Sequence, residues 1–243
     1  MESSITFVSL GPGEPELITL KALKALQQAD IVYCPSTQSK SGKQISRSSD
    51  ILHALDIPSE AISLFHVPMS KKRDAALEAY DNIRKEATIK YNENKKMVIV
   101  AEGDSGFYSS IHYIYDKFIE DGIPVKRIAG IPAFIAAGAL AGLHIVKQEE
   151  KLIVLPGIVT SKELHEYLSN DMVVVIMKLS QCTTEIQEYI RKHPQFTYHY
   201  FENVGTEKEY YSCNTDELQN KEFPYFSLMI IKQQVVCCNQ QVI

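Results

Sequence analysis

Ile5-Thr6-Phe7-Val8-Ser9-Leu10 is a short apolar run rich in β-branched side chains, and it stops at Gly11-Pro12-Gly13. That pattern predicts a buried strand entering a tight turn. From Glu16 the period changes: Leu17, Leu20, Leu23, Leu26 and Ala29 recur at every third residue, the stripe of a helix whose first turn carries Glu14 and Glu16. Ile31-Val32-Tyr33-Cys34 is a second strand. A strand, helix and strand in succession predict a parallel sheet covered by helices.

The alternation continues to the end of the chain. Residues 36–44 contain no apolar side chain and predict a surface loop, followed by a helix over 48–55 and a strand over 62–65. Ala76, Leu77, Tyr80, Ile83, Ala87 and Tyr91 share one face of a long helix over 74–91. Met97-Val98-Ile99-Val100-Ala101 is a buried strand, with Glu102-Gly103-Asp104-Ser105-Gly106 as the turn at its end. A helix over 107–119 and a strand over 125–128 complete a first lobe. A small-residue helix begins near Pro132, a residue suited to the first helical position. Strands are predicted over 152–155, 172–177, 196–201, 210–213 and 226–231, and helices over 161–168 and 184–192. The glycine-bounded stretch 122–130 is the best boundary, which divides the chain into lobes 1–129 and 130–243.

Composition narrows the chemistry. The 243 residues are 45% hydrophobic and 23% charged, enough apolar material for a sizeable core. The net charge of −5 gives no global positive field to hold a nucleic-acid backbone, so an anionic substrate must meet a local cluster of basic side chains. The start lacks a basic segment followed by an apolar core, and the longest apolar stretch is interrupted by Pro132, Gly138, Gly142 and His144, so neither secretion nor a membrane span is expected. Five cysteines without C-x-x-C spacing suit neither a disulfide scaffold nor a zinc site, and they point to a reducing cytoplasm. The vicinal pair Cys237-Cys238 reads as packing in a terminal strand.

The turns are where a ligand is expected. Gly11-Pro12-Gly13 lacks the third glycine of a dinucleotide fingerprint, since Glu16 stands in its place, and no G-K-S or G-K-T follows for a phosphate loop. It and Glu102-Gly103-Asp104 are small-residue turns at strand ends, where open α/β sheets place their ligands. Asp104 reads either as an acceptor for an amine or hydroxyls or as the N-cap of the helix over 107–119. Hydrolytic signatures such as G-x-S-x-G and H-E-x-x-H are absent, and the seven histidines show no metal-ligand spacing, so no metal site is assigned. His112 reads as a packed or surface residue.

The run Ser9-Leu10-Gly11-Pro12-Gly13-Glu14-Pro15-Glu16-Leu17-Ile18-Thr19-Leu20-Lys21-Ala22 resembles the opening signature of the tetrapyrrole methylases. Tyr33-Cys34-Pro35, Val67-Pro68-Met69, Gly103-Asp104-Ser105-Gly106-Phe107-Tyr108-Ser109-Ser110, Met177-Lys178 and Pro224-Tyr225-Phe226-Ser227 resemble one branch of that family, the precorrin-2 C20-methyltransferases. The resemblance spans nearly the whole chain. It implies the class III methyltransferase fold, two α/β lobes with the active site in the trough between them, and a homodimer. It also implies S-adenosyl-L-methionine (SAM)-dependent methyl transfer to the C-20 meso carbon of precorrin-2 or cobalt-precorrin-2 in corrin-ring biosynthesis, with S-adenosylhomocysteine as product. A methylase acting on a different ring carbon and a non-catalytic tetrapyrrole-binding relative remain as alternatives.

By position, Pro12, Gly103, Asp104, Phe107, Ser109, Ser110, Pro132, Ala133, Met177, Val204 and Ser227 match cofactor-lining places in that family. The octacarboxylate ring would be met by basic residues, with Lys71, Arg73 and Lys178 as first candidates beside Lys72, Lys40, Lys43 and Arg47. No catalytic acid or base is assigned. Three departures stand out: Gly103-Asp104-Ser105 where the family carries Gly-Asp-Pro, Ala129-Gly130-Ile131-Pro132 where it carries Pro-Gly-Ile-Ser or Pro-Gly-Ile-Thr, and Glu202-Asn203 where Glu-Arg is frequent.

Overall fold

A computed structural model describes residues 4–38, 44–68 and 74–233. Lys40, Lys43, Lys71, Lys72, Arg73, Met69 and the Cys237-Cys238 pair lie outside the described residues. The chain forms two compact units, Met1–Ala133 and Phe134–Ile243, so the division falls a few residues beyond the sequence-based boundary at 129.

Unit 1 runs β1 (Ile5–Ser9), α1 (Leu20–Gln27), β2 (Ile31–Gln38), β3 (Gln44–Ile45), α2 (Arg47–Ala54), β4 (Ile62–His66), α3 (Asp74–Asn92), β5 (Met97–Ala101), α4 (His112–Glu120) and β6 (Val125–Ile128). β5 lies between β2 and β1, β6 flanks β1, and β4 pairs with β2, all parallel; only the short β3 runs antiparallel. All five residues of β5 are buried, because both faces of the sheet are covered. Ile5, Phe7, Met97 and Ile99 pack with Tyr80 and Ile83 of α3 and Ile114 and Phe118 of α4. Val8, Val98 and Val100 pack on the other face with Ala22 and Leu26 of α1 and Ile51 and Leu52 of α2. The continuous apolar runs of the sequence are therefore two alternating faces, each with its own helix layer.

Local chemistry sets the helix ends. α1 starts at Leu20, where the Thr19 hydroxyl accepts the Ala22 N–H, while Pro15–Leu17 make a separate 3-10 turn. The apolar stripe seen from Leu17 thus spans two elements, and Glu14 and Glu16 belong to the first. α4 begins only at His112. Residues 107–111 were expected to be helical, but Tyr108 adopts a left-handed φ of 48°, which a right-handed helix cannot contain.

Unit 2 holds α5 (Ala133–Leu140), β7 (Lys151–Leu155), α6 (Ser161–Ser169), β8 (Met172–Met177), α7 (Thr183–Lys192), β9 (Phe196–Glu202), β10 (Tyr210–Ser212), α8 (Thr215–Leu218) and β11 (Ser227–Gln233). The strand order is β10-β9-β11-β8-β7, parallel only between β7 and β8. Tyr198, Tyr200, Val174, Ile176, Met229 and Ile231 meet Leu164 and Leu168 of α6 and Ile186, Tyr189 and Ile190 of α7. Thr160 and Glu163 close a capping box at the start of α6. Among the described residues, no helix is long and apolar enough to cross a membrane, and no group of three or more His, Cys, Asp or Glu could hold a metal ion.

His199 on β9 sits 2.9 Å from the Tyr211 hydroxyl, and burial, with help from Lys232, lowers its pKa from 6.5 to about 4. The folded chain therefore keeps this ring neutral while the unfolded chain protonates it. Stability should fall as pH drops from about 6.5 towards 4, by up to roughly 3 kcal/mol from this group. His199→Gln is expected to flatten that acid arm, as read from denaturant midpoints measured at about pH 7 and about pH 4.5.

Candidate functional site

The helix that follows β1 covers one face of the sheet and the helix that follows β5 covers the other, so the adjacent ends of these two strands form a topological switch point. Two glycine turns meet there. Gly11 and Gly103 form an antiparallel bridge, Gly103 N–H donating to the Gly11 carbonyl at 2.6 Å and Gly11 N–H to the Gly103 carbonyl at 3.1 Å. Gly103 has φ +64°, and a Cβ added there would meet nothing within 4 Å. The turn therefore needs glycine for its backbone and leaves open space beside it.

Asp104 ties this turn to the loop after β6. One carboxylate oxygen accepts the Gly106 N–H at 2.8 Å and the other the Gly130 N–H at 2.7 Å. It caps no helix, since α4 starts later. Gly130 packs so closely that a Cβ would lie 2.5 Å from Ser9 Cβ and 2.6 Å from the Gly103 carbonyl oxygen. Ser9, fully buried at the end of β1, donates its hydroxyl to the Ile128 carbonyl at 2.7 Å and accepts the Ser105 N–H at 2.9 Å. Three strand ends are thus joined by one carboxylate, one hydroxyl and one backbone bridge.

The Ser105 contact gives the Gly-Asp-Ser departure a physical meaning. A proline at 105 has no N–H to offer Ser9, so this chain has gained a buried hydrogen bond that a Gly-Asp-Pro turn cannot make. Spacing could not reveal it, because the partners are 96 residues apart.

Beside this cross-tie, Pro12 is buried on the β1 turn, and Pro132 and Ala133 follow Gly130. Phe107 N–H donates to the Asp104 carbonyl at 3.1 Å, and its ring lies 4.8 Å from that of Tyr108. The Ser109 carbonyl faces His112 Nδ1 at 2.9 Å, and Ser110 Oγ lies 2.6 Å from the Tyr80 hydroxyl, which directs Ser110 towards α3. Unit 1 therefore gathers its eight sequence-predicted cofactor residues around one sheet end. Glu102, which the sequence reading left unassigned, accepts a hydrogen bond from Ser48 Oγ at 3.4 Å, and burial pushes its carboxyl up while Arg47 pulls it back.

Unit 2 gathers the other three. Met177 ends β8 opposite Leu228, Ser227 begins β11 opposite Glu202, and Val204 follows β9. Val204 and Ser227 are buried, and Met177 and Lys178 are half-buried. Tyr225 and Phe226 stand beside Ser227 as exposed rings 5.0 Å apart. Glu202 pairs with Lys221 at 3.2 Å and accepts a hydrogen bond from the Tyr200 hydroxyl at 2.6 Å.

Among the described residues, six non-glycine residues have positive φ, and they sort by position. Asp56, Asn94 and Asp171 follow the ends of α2, α3 and α6, where such a conformation is ordinary. Tyr108, Lys178 and Asn203 instead adjoin Phe107, Met177 and Val204 beyond strands. Strain of this kind gathers where a fixed loop shape serves a ligand.

A family model described as Tetrapyrrole (Corrin/Porphyrin) Methylases matches residues 4–219. A precorrin-2 C(20)-methyltransferase from a Sinorhizobium species is 29% identical over 237 residues, covering 92% of this chain and 93% of that protein. A probable cobalt-precorrin-2 C(20)-methyltransferase from Methanocaldococcus jannaschii is 28% identical over 228 residues, covering 93% and 94%. The fold matches that of a uroporphyrin-III C-methyltransferase from Thermus thermophilus complexed with S-adenosylhomocysteine, with a TM-score of 0.67 at 17% identity over 95% of this chain and 97% of that one.

Gly130→Ala should displace the Gly103 turn and lower stability by about 1–3 kcal/mol, seen as a lower denaturant midpoint. Ser9→Ala should cost about 1–3 kcal/mol by orphaning the Ser105 N–H. Ser105→Pro should be less damaging in the Ser9→Ala background than in the native one. A double-mutant cycle with equal costs in both backgrounds would refute that coupling.

Proposed function

Because the chain belongs to the tetrapyrrole (corrin/porphyrin) methylases, we propose that it transfers a methyl group from SAM to the C-20 meso carbon of precorrin-2 or cobalt-precorrin-2 during corrin-ring biosynthesis. The observation that carries this reading is the end-to-end match to two C(20)-methyltransferases. The geometry supports it: a cross-tied, side-chain-poor turn with open space beside Gly103 fits a bulky nucleoside ligand, which needs shape more than charge.

Pro12, Gly103, Phe107, Ser109, Ser110, Pro132 and Ala133 from unit 1, with Met177, Val204 and Ser227 from unit 2, are the residues that would hold SAM. Asp104 acts through the loops it ties. Bound SAM would supply a methyl group on a positive sulfonium: the electron-rich C-20 carbon takes the methyl in line as the S–CH3 bond breaks, S-adenosylhomocysteine leaves, and the C-20 proton passes to solvent. The chain's part is alignment and exclusion of water. The exposed rings of Tyr108, Tyr225 and Phe226 offer apolar faces to a macrocycle. Lys178 is the described candidate for its carboxylates, and Lys71 and Arg73 are candidates outside the described residues.

The same reading assigns a homodimer in a reducing cytoplasm. α5 is apolar all round yet leaves Ile135 and Leu140 exposed, 47% and 39%, as a helix awaiting a partner would. Equilibrium sedimentation should give twice the chain mass.

Incubation with methyl-labelled SAM and each ring, followed by NMR, should place the label at C-20. Label at another ring carbon would reassign the enzyme within its family, and binding without transfer would make the chain a non-catalytic relative. Lys178→Gly relieves a left-handed φ of 55° and should raise stability by up to about 1 kcal/mol. If Lys178 meets the ring, the same variant should raise the KM for precorrin-2 and leave S-adenosylhomocysteine affinity unchanged.

A further inference from the structure

Arg127 lies on edge strand β6, one residue before the loop that Asp104 ties down, and the sequence reading passed over it. Its guanidinium carbon sits 4.1 Å above the centroid of the Tyr115 ring on α4. Its Nη1 reaches the turn after β5: a Cβ added at Gly106 would lie 3.0 Å from that atom and 3.2 Å from Asp104 Oδ1. No ion pair forms between it and Asp104, whose two carboxylate oxygens accept the N–H groups of Gly106 and Gly130. Among the described residues, Arg127 makes its ring contact and no ion pair.

This arrangement differs from that of Arg84 and Arg191. Arg84 is committed to Asp81 and Asp121, and Arg191 to the Gln219 carbonyl. Stacking uses the flat face of a guanidinium and leaves its edge donors free, the geometry that takes a carboxylate through two parallel hydrogen bonds. The absence of a side chain at Gly106 is what lets Arg127 lie alongside the turn. In a chain of net charge −5, a ring-stacked cation that makes no ion pair, next to the candidate cofactor turn, is a site for an anion.

We propose that Arg127 is a specificity-determining residue that grips one peripheral carboxylate of the tetrapyrrole substrate and so sets which edge of the ring approaches the Gly103 turn. Tyr115 holds its plane, and Gly106 is the gap through which it reaches the site. This rests on the functional reading above.

The test uses the full chain with Arg127→Gln, Arg127→Lys and Gly106→Val, the last leaving the charge in place but closing the gap. For each, KM and kcat are measured for precorrin-2 and for cobalt-precorrin-2, and the Kd of S-adenosylhomocysteine by calorimetry. Arg127→Gln should raise the ring KM on the order of tenfold, the loss of one charged hydrogen-bonded contact. S-adenosylhomocysteine affinity should hold within about twofold. Arg127→Lys should recover only part of the loss, since a point charge cannot form the fork, and Gly106→Val should reproduce the Gln phenotype. An active wild type whose ring KM is indifferent to Arg127→Gln overturns the anchor alone, as does parallel loss of ring and S-adenosylhomocysteine binding, which would mark a structural role. A wild type that methylates neither ring overturns the functional reading and the anchor with it.

Discussion

The carboxylate of Asp104 and the hydroxyl of Ser9, with the Gly11–Gly103 backbone bridge, hold three loops in register beyond the ends of their strands. A parallel sheet fixes the strands, but its hydrogen bonds stop where the strands stop, and the turns beyond β1, β5 and β6 are short of side chains. Each needs its backbone N–H groups satisfied in a confined space, because an unpaired buried N–H costs as much as a lost hydrogen bond. Two Asp104 oxygens and one Ser9 oxygen meet three of them. The shape of the candidate site is therefore a by-product of backbone accounting. It explains why Asp104, the one charged residue among the expected cofactor positions, is engaged with the backbone of the protein itself.

Much of the fold was legible because both faces of β1 and β5 are apolar and the helices between strands carry clear stripes. What escaped was set by contacts distant in sequence. The start of α4 was placed too early because residues 107–111 are apolar enough to continue a helix, while the left-handed Tyr108 is visible only in three dimensions. β3 is too short to show a period, and it exists by pairing with the end of β2. In the candidate site, glycines and prolines announced turns, yet the same sequence read Ser105 as a loss of proline and could not reveal the gain at Ser9. Arg127 gave no signal at all, since a basic residue on an edge strand is ordinary until its neighbours are known.

Left-handed residues are held in place differently in the two units. In unit 1 the left-handed Tyr108 sits in a loop pinned on both sides, by Asp104 before it and by Ser110 against Tyr80 after it. In unit 2 the left-handed Lys178 is held by close backbone packing: a Cβ on Gly157 would come within 2.1 Å of its carbonyl oxygen. Both devices hold an unfavourable backbone conformation in place.

The position of β1 between β5 and β6 has a consequence for biogenesis. Thr6 pairs with Val98 on one side and Lys126 on the other, so β1 is synthesised well before either of its neighbours. At about 5–20 residues per second, translation takes roughly 5–20 s to deliver β5. Throughout that interval Ile5, Phe7 and Val8, all fully buried in the finished sheet, have only α1 and incomplete partners to cover them. Long-range pairing of this kind folds slowly and leaves apolar strand edges open to other chains. The architecture that shapes the glycine turns thus leaves the nascent β1 with open edges until β5 and β6 arrive.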